Sequence, residues 1–377
     1  MSLRSVAQDV FLCICEYLND DAKLALLSTC RDYRALLGRV KLTKLVGYLR
    51  ICGEKGCSAF SNVAITAYAY HKIRDDAHIY GGVQNTPYGN IYIIDGGLQV
   101  NKIETKYLPS RSIIFDHYYN LETDLSPGLL SVEFGANFNR PIVLPDGLIS
   151  AKFSTRFNRP LNLPKSLRRL VLGDDFNHPL DLPPHLQRLV VGANFDFPIK
   201  QFPSSLKLLK LSWCYSHPIN LPEGITELEI RKCNYDVILP NSLKILKLRY
   251  PFNRKITLNE GLLRARFPCD YNHPVILPEG LQCVKFMNAF NQPVILPASI
   301  KFAKFGDNFD QPIQLPPGIV HIAFGICYNH AIELPEGVQV VKLPKYTKPV
   351  KWPNSIRTLY ISRHYGHELP CANIIHL

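Results

Sequence analysis

Leu163-Pro164-Lys165-Ser166-Leu167-Arg168-Arg169-Leu170-Val171-Leu172-Gly173-Asp174-Asp175-Phe176-Asn177-His178-Pro179-Leu180 is one copy of a sentence that recurs down most of the 377-residue chain. The prolines of its Leu-Pro step fall at 145, 164, 183, 203, 222, 240, 278, 297, 316, 335 and 353. The steps are 18 to 20 residues, apart from a double one between 240 and 278, where Asn259 fills the missing beat. One more copy precedes them, with Ser126 in the proline place. A fixed period of this length marks a solenoid, in which each coil rests on its neighbours.

Three apolar columns follow each proline, at three, six and eight residues, as in Leu206, Leu209 and Leu211. The last two are separated by one residue, so both point to the same side of a short strand. Such a strand buries its apolar face only when stacked in register into a parallel sheet. An aromatic column lies seven residues before the proline (Phe157, Phe176, Tyr215, Phe290, Tyr328), and only Cys233 breaks it. An Asn column follows (Asn139, Asn158, Asn177, Asn272, Asn291), suited to a buried corner because an amide both donates and accepts. A second proline column comes two residues later and, with the Leu-Pro prolines, fixes two extended corners per coil. Leu-x-x-Leu-x-Leu followed by Asn is the pattern of a leucine-rich-repeat rung. A left-handed β-helix needs three comparable strands per coil, whereas here one segment reads as strand and the rest is proline-rich.

Phe157-Asn-Arg-Pro-Leu-Asn-Leu-Pro164 and Phe290-Asn-Gln-Pro-Val-Ile-Leu-Pro297 resemble the FNIP repeat family, and the resemblance runs from about residue 125 to 362. Residues 1–45 lack the repeat and read as three short helices. Ser5 with Gln8 makes a capping box, and Val6, Val10, Ile14 and Leu18 share a helical face. Asn19-Asp20-Asp21 forms a turn, and a last run through Leu36 stops at Gly38. This segment is similar to an F-box, with Val6-Ala7-Gln8-Asp9-Val10-Phe11, Ile14, Leu18 and Thr29-Cys30-Arg31-Asp32-Tyr33 standing on its motif. The signature proline is Ala7 here, and the usual Trp is Tyr33. F-box and FNIP repeats occur together in a family of amoebae and the giant viruses that infect them. That resemblance implies docking of a Skp1-type linker protein through Val6, Val10, Phe11, Ile14, Leu18, Leu26, Leu27, Cys30, Tyr33 and Leu36. The alternative is a helical cap over the first open rung.

The expected class is therefore α+β: a short F-box-like helical bundle followed by a leucine-rich-repeat-like parallel β solenoid of FNIP repeats. The expected domains are 1–45 helical, 46–107 connecting or capping, 108–362 the solenoid and 363–377 an irregular C-terminal cap. Ile91-Tyr-Ile-Ile94 and Lys102–Leu108 read as strands of a degenerate first rung.

The net charge of +12 points to acidic partners. The 11 cysteines are irregularly spaced and show no pairing framework, which with the lack of a secretory or membrane-spanning run points to the cytoplasm or nucleus. Cys52, Cys57 and His71 lack a fourth ligand for zinc, and no cofactor is expected. No phosphate loop, nucleophile elbow or paired ligand set appears, so the chain reads as a non-enzyme. His178, His217, His273 and His330 share one repeat column, a polar corner also holding Arg140, Arg159 and Arg254.

One column looks functional. Seven residues after the proline, the side chain between the two inward strand positions points outward. Lys210, Lys247, Arg266, Lys285, Lys304 and Lys342 stand there, four of them in consecutive rungs about 4.8 Å apart. Stacked like charges repel. Two readings remain open: lysines that keep an open face soluble, or a surface for an acidic substrate protein. Thin aromatic interleaving (Phe302, Tyr360) argues against nucleic acid, which stays the alternative for a basic scaffold. A monomeric adaptor of a Skp1–cullin–F-box ubiquitin ligase is the function expected.

Overall fold

The computed structural model describes residues 111–377 apart from Asp116, Tyr118 and Ser212, together with backbone strands at Val46–Gly47, Val63–Ala64, Asn85–Thr86, Gly89–Ile94 and Lys102–Glu104. Among these residues every regular element is a strand, and no helix is present. The α+β expectation is thereby corrected to an all-β, leucine-rich-repeat-like parallel solenoid. The physical reason lies in the coil itself. Its return path is anchored by two prolines, and a proline removes the backbone donor a helix needs. The segment 1–45, with the docking residues from Val6 to Leu36, lies outside the described residues, as do Cys52, Cys57 and His71.

The chain divides into two compact units, Met1–Leu186 and Gln187–Leu377. In the first, Gly89–Ile94, Ser112–Phe115, Ser131–Phe134, Ser150–Phe153 and Arg169–Val171 pair in parallel, each on the next, with Ser112 opposite Ser131 and Ser131 opposite Ser150. The strand expected at residues 91–94 is thus in place. Lys102–Glu104 also pairs with Glu122–Asp124. Residues 120–124 hold no proline, so this side of the coil keeps its N–H groups and can form a ladder. In the coils that follow, Pro141 and Pro160 stand on that side and no strand forms there.

The second unit stacks eleven parallel strands, from Arg188–Val190 to Asn373–His376. Two turns recur along the coils of both units. One runs from the N–H of the apolar residue to the carbonyl of the Leu-Pro proline, as in Leu167 to Pro164 at 3.0 Å and Leu206 to Pro203 at 3.0 Å. Leu262 makes the same bond to Asn259, so the missing beat is filled as the spacing requires. Asn259 Nδ2 also donates to the Leu243 carbonyl, a role the Ser242 hydroxyl plays for Ile225 one coil earlier. The second turn runs from the aromatic column to the residue three before it, as in Phe290 to Met287.

The inward columns are sealed: Leu206, Leu209 and Leu211 are buried, as are Phe290, Phe309 and Tyr328. The rings lie nearly parallel from coil to coil. Phe290 and Phe309 are 6.1 Å apart at 6°, and Phe309 and Tyr328 are 6.1 Å apart at 10°. Each also sits against an inward strand residue of its own coil, as Phe290 does on Phe286 at 3.8 Å. Large-ring burial of this kind carries a core of aromatic and leucine layers.

The Asn column does form a ladder, but not a buried one. Its residues are half-buried or exposed. In several coils Oδ1 accepts the backbone N–H of the next coil's column residue: Asn158 from Asn177 in the first unit, and Asn272 from Asn291 and Asn291 from Asp310 in the second. The tail after Arg363 is also more regular than expected. Asn373–His376 pairs in parallel with Thr358–Ile361, Tyr365 donates to the Lys348 carbonyl, and His367 sits in the histidine column on the Thr347 carbonyl. The last coil is shortened, with Asn373 opposite Thr358 only fifteen residues on.

Candidate functional site on the open sheet face of the second unit

The strand register brings the outward column together in the order Lys210, Glu229, Lys247, Arg266, Lys285 and Lys304, each opposite the next. Lys342 follows beyond Ala323. Alternating burial along the strands, as in Leu208–Leu211, fixes these side chains on the outer face.

The face is not electrostatically uniform. At one end, acids interleave with the cations. Glu229 is only 9% exposed and lies 3.2 Å from Lys210 Nζ and 2.9 Å from Arg249 Nε. Burial alone would raise its pKa, but the charges and hydrogen bonds of Arg249 and Lys210 outweigh burial and hold the carboxyl below its usual range. Glu227 pairs with Lys247 at 2.6 Å. Lys210 and Lys247, two of the expected substrate-face residues, are therefore already engaged.

The next coils differ. Arg264, Arg266, Lys285 and Lys304 have no ion pair among the described residues, nor has Lys342. Burial, reinforced by Arg249, lowers the Arg266 pKa, and Glu229 only partly offsets this. Lys285 lies over the Phe302 ring, 4.9 Å from its centroid. Phe302 in turn packs on His321, centroids 4.4 Å apart and rings tilted at 36°. Burial and then the Lys285 charge lower the His321 pKa, which favours the uncharged imidazole.

The outward column two residues earlier on each strand adds Arg264, Phe302, Cys283 and His321 to this face, and of these the sequence reading missed Cys283 and His321. The signal was present in the period: the position five after each proline shares the outward face. What this arrangement can do is bind anions. It offers a localised excess of positive charge beside a half-buried aromatic pair.

The histidine column has a different task. His217, His273 and His330 each place Nε2 on the carbonyl of the preceding coil's Asn-column residue, at 2.9, 3.3 and 3.1 Å. Arg159 and Arg254 do the same in their coils. The column supplies a donor to a carbonyl that the turn leaves open. On the proline side, Ile238, Ile276 and Ile295 are exposed, Ile276 to 89%. Among the described residues no group of three metal-binding side chains is present, and no helix is long and apolar enough to cross a membrane.

The FNIP Repeat family profile matches residues 138–175, 157–189, 176–214 and 290–327. The chain carries FNIP repeats. Comparison with curated proteins gives no match. Among solved structures, the chain is similar to CroV588, described as a novel circular LRR protein structure, with a TM-score of 0.55 and 22% identity. That alignment covers 89% of this chain and 61% of CroV588, so the chain spans less than two thirds of that protein's length. It is also similar to YopM from Yersinia enterocolitica WA-314, with a TM-score of 0.54 and 18% identity over 90% of this chain and 81% of YopM. These likenesses establish the leucine-rich-repeat-like fold.

Proposed function

We propose that the chain is a non-enzymatic recognition adaptor of a Skp1–cullin–F-box type ubiquitin ligase. The outward sheet face of the second unit holds an acidic segment of a target protein. The segment 1–45 docks on a Skp1-type linker through Val6, Val10, Phe11, Ile14, Leu18 and their neighbours. Catalysis belongs to the partners, and this chain supplies proximity. The observation that carries the reading is the row Arg266, Lys285, Lys304, placed opposite one another strand by strand without an acid among them. A solenoid offers such rows on an extended binding surface, and the FNIP repeats support the pairing with an F-box-like segment. Residues 46–107 connect the two functions. Cys214, Cys269, Cys327 and Cys371 are exposed and unpaired, which suits the reducing cytoplasm or nucleus, that of the host if the chain is viral.

The linker half is tested by co-purifying the full chain with Skp1-type proteins, beside an Ile14→Asp/Leu18→Asp variant. Capture by the wild type and loss in the variant, with the β-rich circular dichroism of the repeats unchanged, is the expected result. Failure of the wild type to capture any Skp1-type protein overturns the adaptor reading and leaves the anion-binding face standing alone.

A further inference from the structure

The protein itself shows how many cations a carboxylate satisfies on this face. Glu229 takes two, Lys210 and Arg249, and Glu227 takes one, Lys247. Two coils further along, Arg264 and Arg266 form a triangle with Lys285 of the adjacent strand, Lys304 continues it, and no carboxylate is paired with any of them. Positions two apart on a strand are about 6.8 Å apart and neighbouring strands about 4.8 Å, so three long side chains can converge on one point. A single carboxylate placed there leaves the cluster with at least two positive charges in excess. A phosphate carries about −1.5 to −2 charges and three acceptor oxygens, and arginine forks match it in bidentate fashion.

Beside the triangle the chemistry changes abruptly. Phe302 and His321 pack with their rings tilted 36° to each other, and Ala323, two residues on from His321, is buried. Burial and the Lys285 charge both disfavour the charged form of His321. This part of the face presents a half-buried aromatic pair to a side chain that follows the anion. Lys285 bridges the two parts, since it borders Arg266 and lies over Phe302.

We propose that Arg264, Arg266, Lys285 and Lys304 hold a phosphorylated residue in an extended segment of the partner protein, with an apolar neighbour of that residue on Phe302 and His321. The proposal rests on the reading of this face as the partner-binding surface and makes it more specific: the partner is recognised after phosphorylation. Binding is then conditional, because the unmodified segment leaves the cation cluster unpaired.

The test uses the full chain and fluorescence anisotropy with degenerate pools of short peptides. One pool carries a central phosphoserine followed by an apolar residue, a second carries Glu in its place, and a third carries Ser. A single-stranded thymidine oligomer of similar charge is the competitor. The phosphoserine pool is expected to bind at least about tenfold tighter than the Glu pool, and the Ser pool not measurably. Arg266→Gln/Lys285→Gln should weaken the phosphoserine pool by about a hundredfold, two charge-assisted contacts being lost. Lys351→Gln, on the proline side, should leave it unchanged. Phe302→Ala should weaken it about tenfold and abolish the preference for an apolar neighbour.

Equal binding of the Glu and phosphoserine pools overturns the phosphate inference while the acidic-partner reading survives. Binding of neither pool overturns both. Insensitivity to Arg266→Gln/Lys285→Gln, with the fold intact by circular dichroism, places the anion elsewhere and overturns the inference. Tighter binding of the oligomer than of the phosphoserine pool makes the face a nucleic-acid surface instead.

Discussion

Replacing Glu229 with Gln removes one negative charge from the most buried ion cluster on the face while keeping volume and an acceptor. Glu229 is 9% exposed and contacts Arg249 Nε at 2.9 Å and Lys210 Nζ at 3.2 Å. At an effective dielectric of about 20, each contact carries a gross attraction of about 5 kcal/mol. Most of that is cancelled by the cost of taking the charges out of water. The two cations are only a third exposed, so in the variant they recover solvent in part. The net loss expected is about 1–2 kcal/mol. It should appear in urea unfolding at pH 7 as a lower midpoint with an unchanged slope.

The same comparison has a pH signature. The Glu229 pKa is held below its ordinary 4.5 by Arg249 and Lys210 acting against burial. A depressed folded pKa gives stability that is present above the unfolded value and is lost as pH falls through the folded one. The wild type and variant should therefore differ fully down to pH 4.5 and converge below it. An unaltered midpoint at pH 7, or a difference that persists once Glu229 has titrated, would refute the reasoning. The variant should also bind the Glu peptide pool more tightly, because it releases Lys210 and Arg249 from their shared carboxylate.

Three further outcomes follow from the geometry. A Cβ on Gly306 would lie 2.3–2.5 Å from the Met287 and Asn288 backbone, so Gly306→Ala should lower stability by about 1–3 kcal/mol in urea unfolding, whereas Gly366→Ala, with open space around it, should not. Tyr271 and Tyr328 bury their hydroxyls without a hydrogen-bond partner, and burial pushes the Tyr271 pKa up to about 12, so Tyr271→Phe should be neutral or stabilising; Tyr346→Phe, which loses a 2.9 Å bond to the His330 carbonyl, should cost about 1 kcal/mol. His321 has a folded pKa below the ordinary 6.5, so its contribution is present above 6.5 and is lost as pH falls below it; His321→Gln should flatten the stability profile in that window, and an anion on the face should raise the His321 pKa in an NMR titration.

The columns were legible because a period of 19 residues puts the same physical demand on the same position many times. Leu-Pro before a three-residue step to Leu is a turn, and the turn forms in both units. Lys285 facing Lys304 follows from spacing alone. Glu229 was visible as an outward charge, but its clamping between Lys210 and Arg249 depends on side chains arriving from both neighbouring strands. The final coil escaped notice because Pro370 comes only five residues after Tyr365, where the other coils keep seven. The Asn column looked buried since an amide can satisfy itself inside a core. The structure puts it at half-buried or exposed corners, where Oδ1 of Asn272 and Asn291 accepts the next coil's backbone N–H and also the side-chain amide of Gln292 or Gln311. A helical reading of apolar residues at helical spacing has no counterpart among the described residues, all of whose regular elements are strands.

The most direct test is a lysine-reactivity footprint of the full chain with and without poly-glutamate, read by peptide mass spectrometry. The account predicts that Lys285 and Lys304 lose reactivity, that the loss reverses with salt, and that Lys255 and Lys351 on the proline side react as before. Protection centred on Lys255 or Lys351, with Lys285 and Lys304 as reactive as in the free protein, would contradict it.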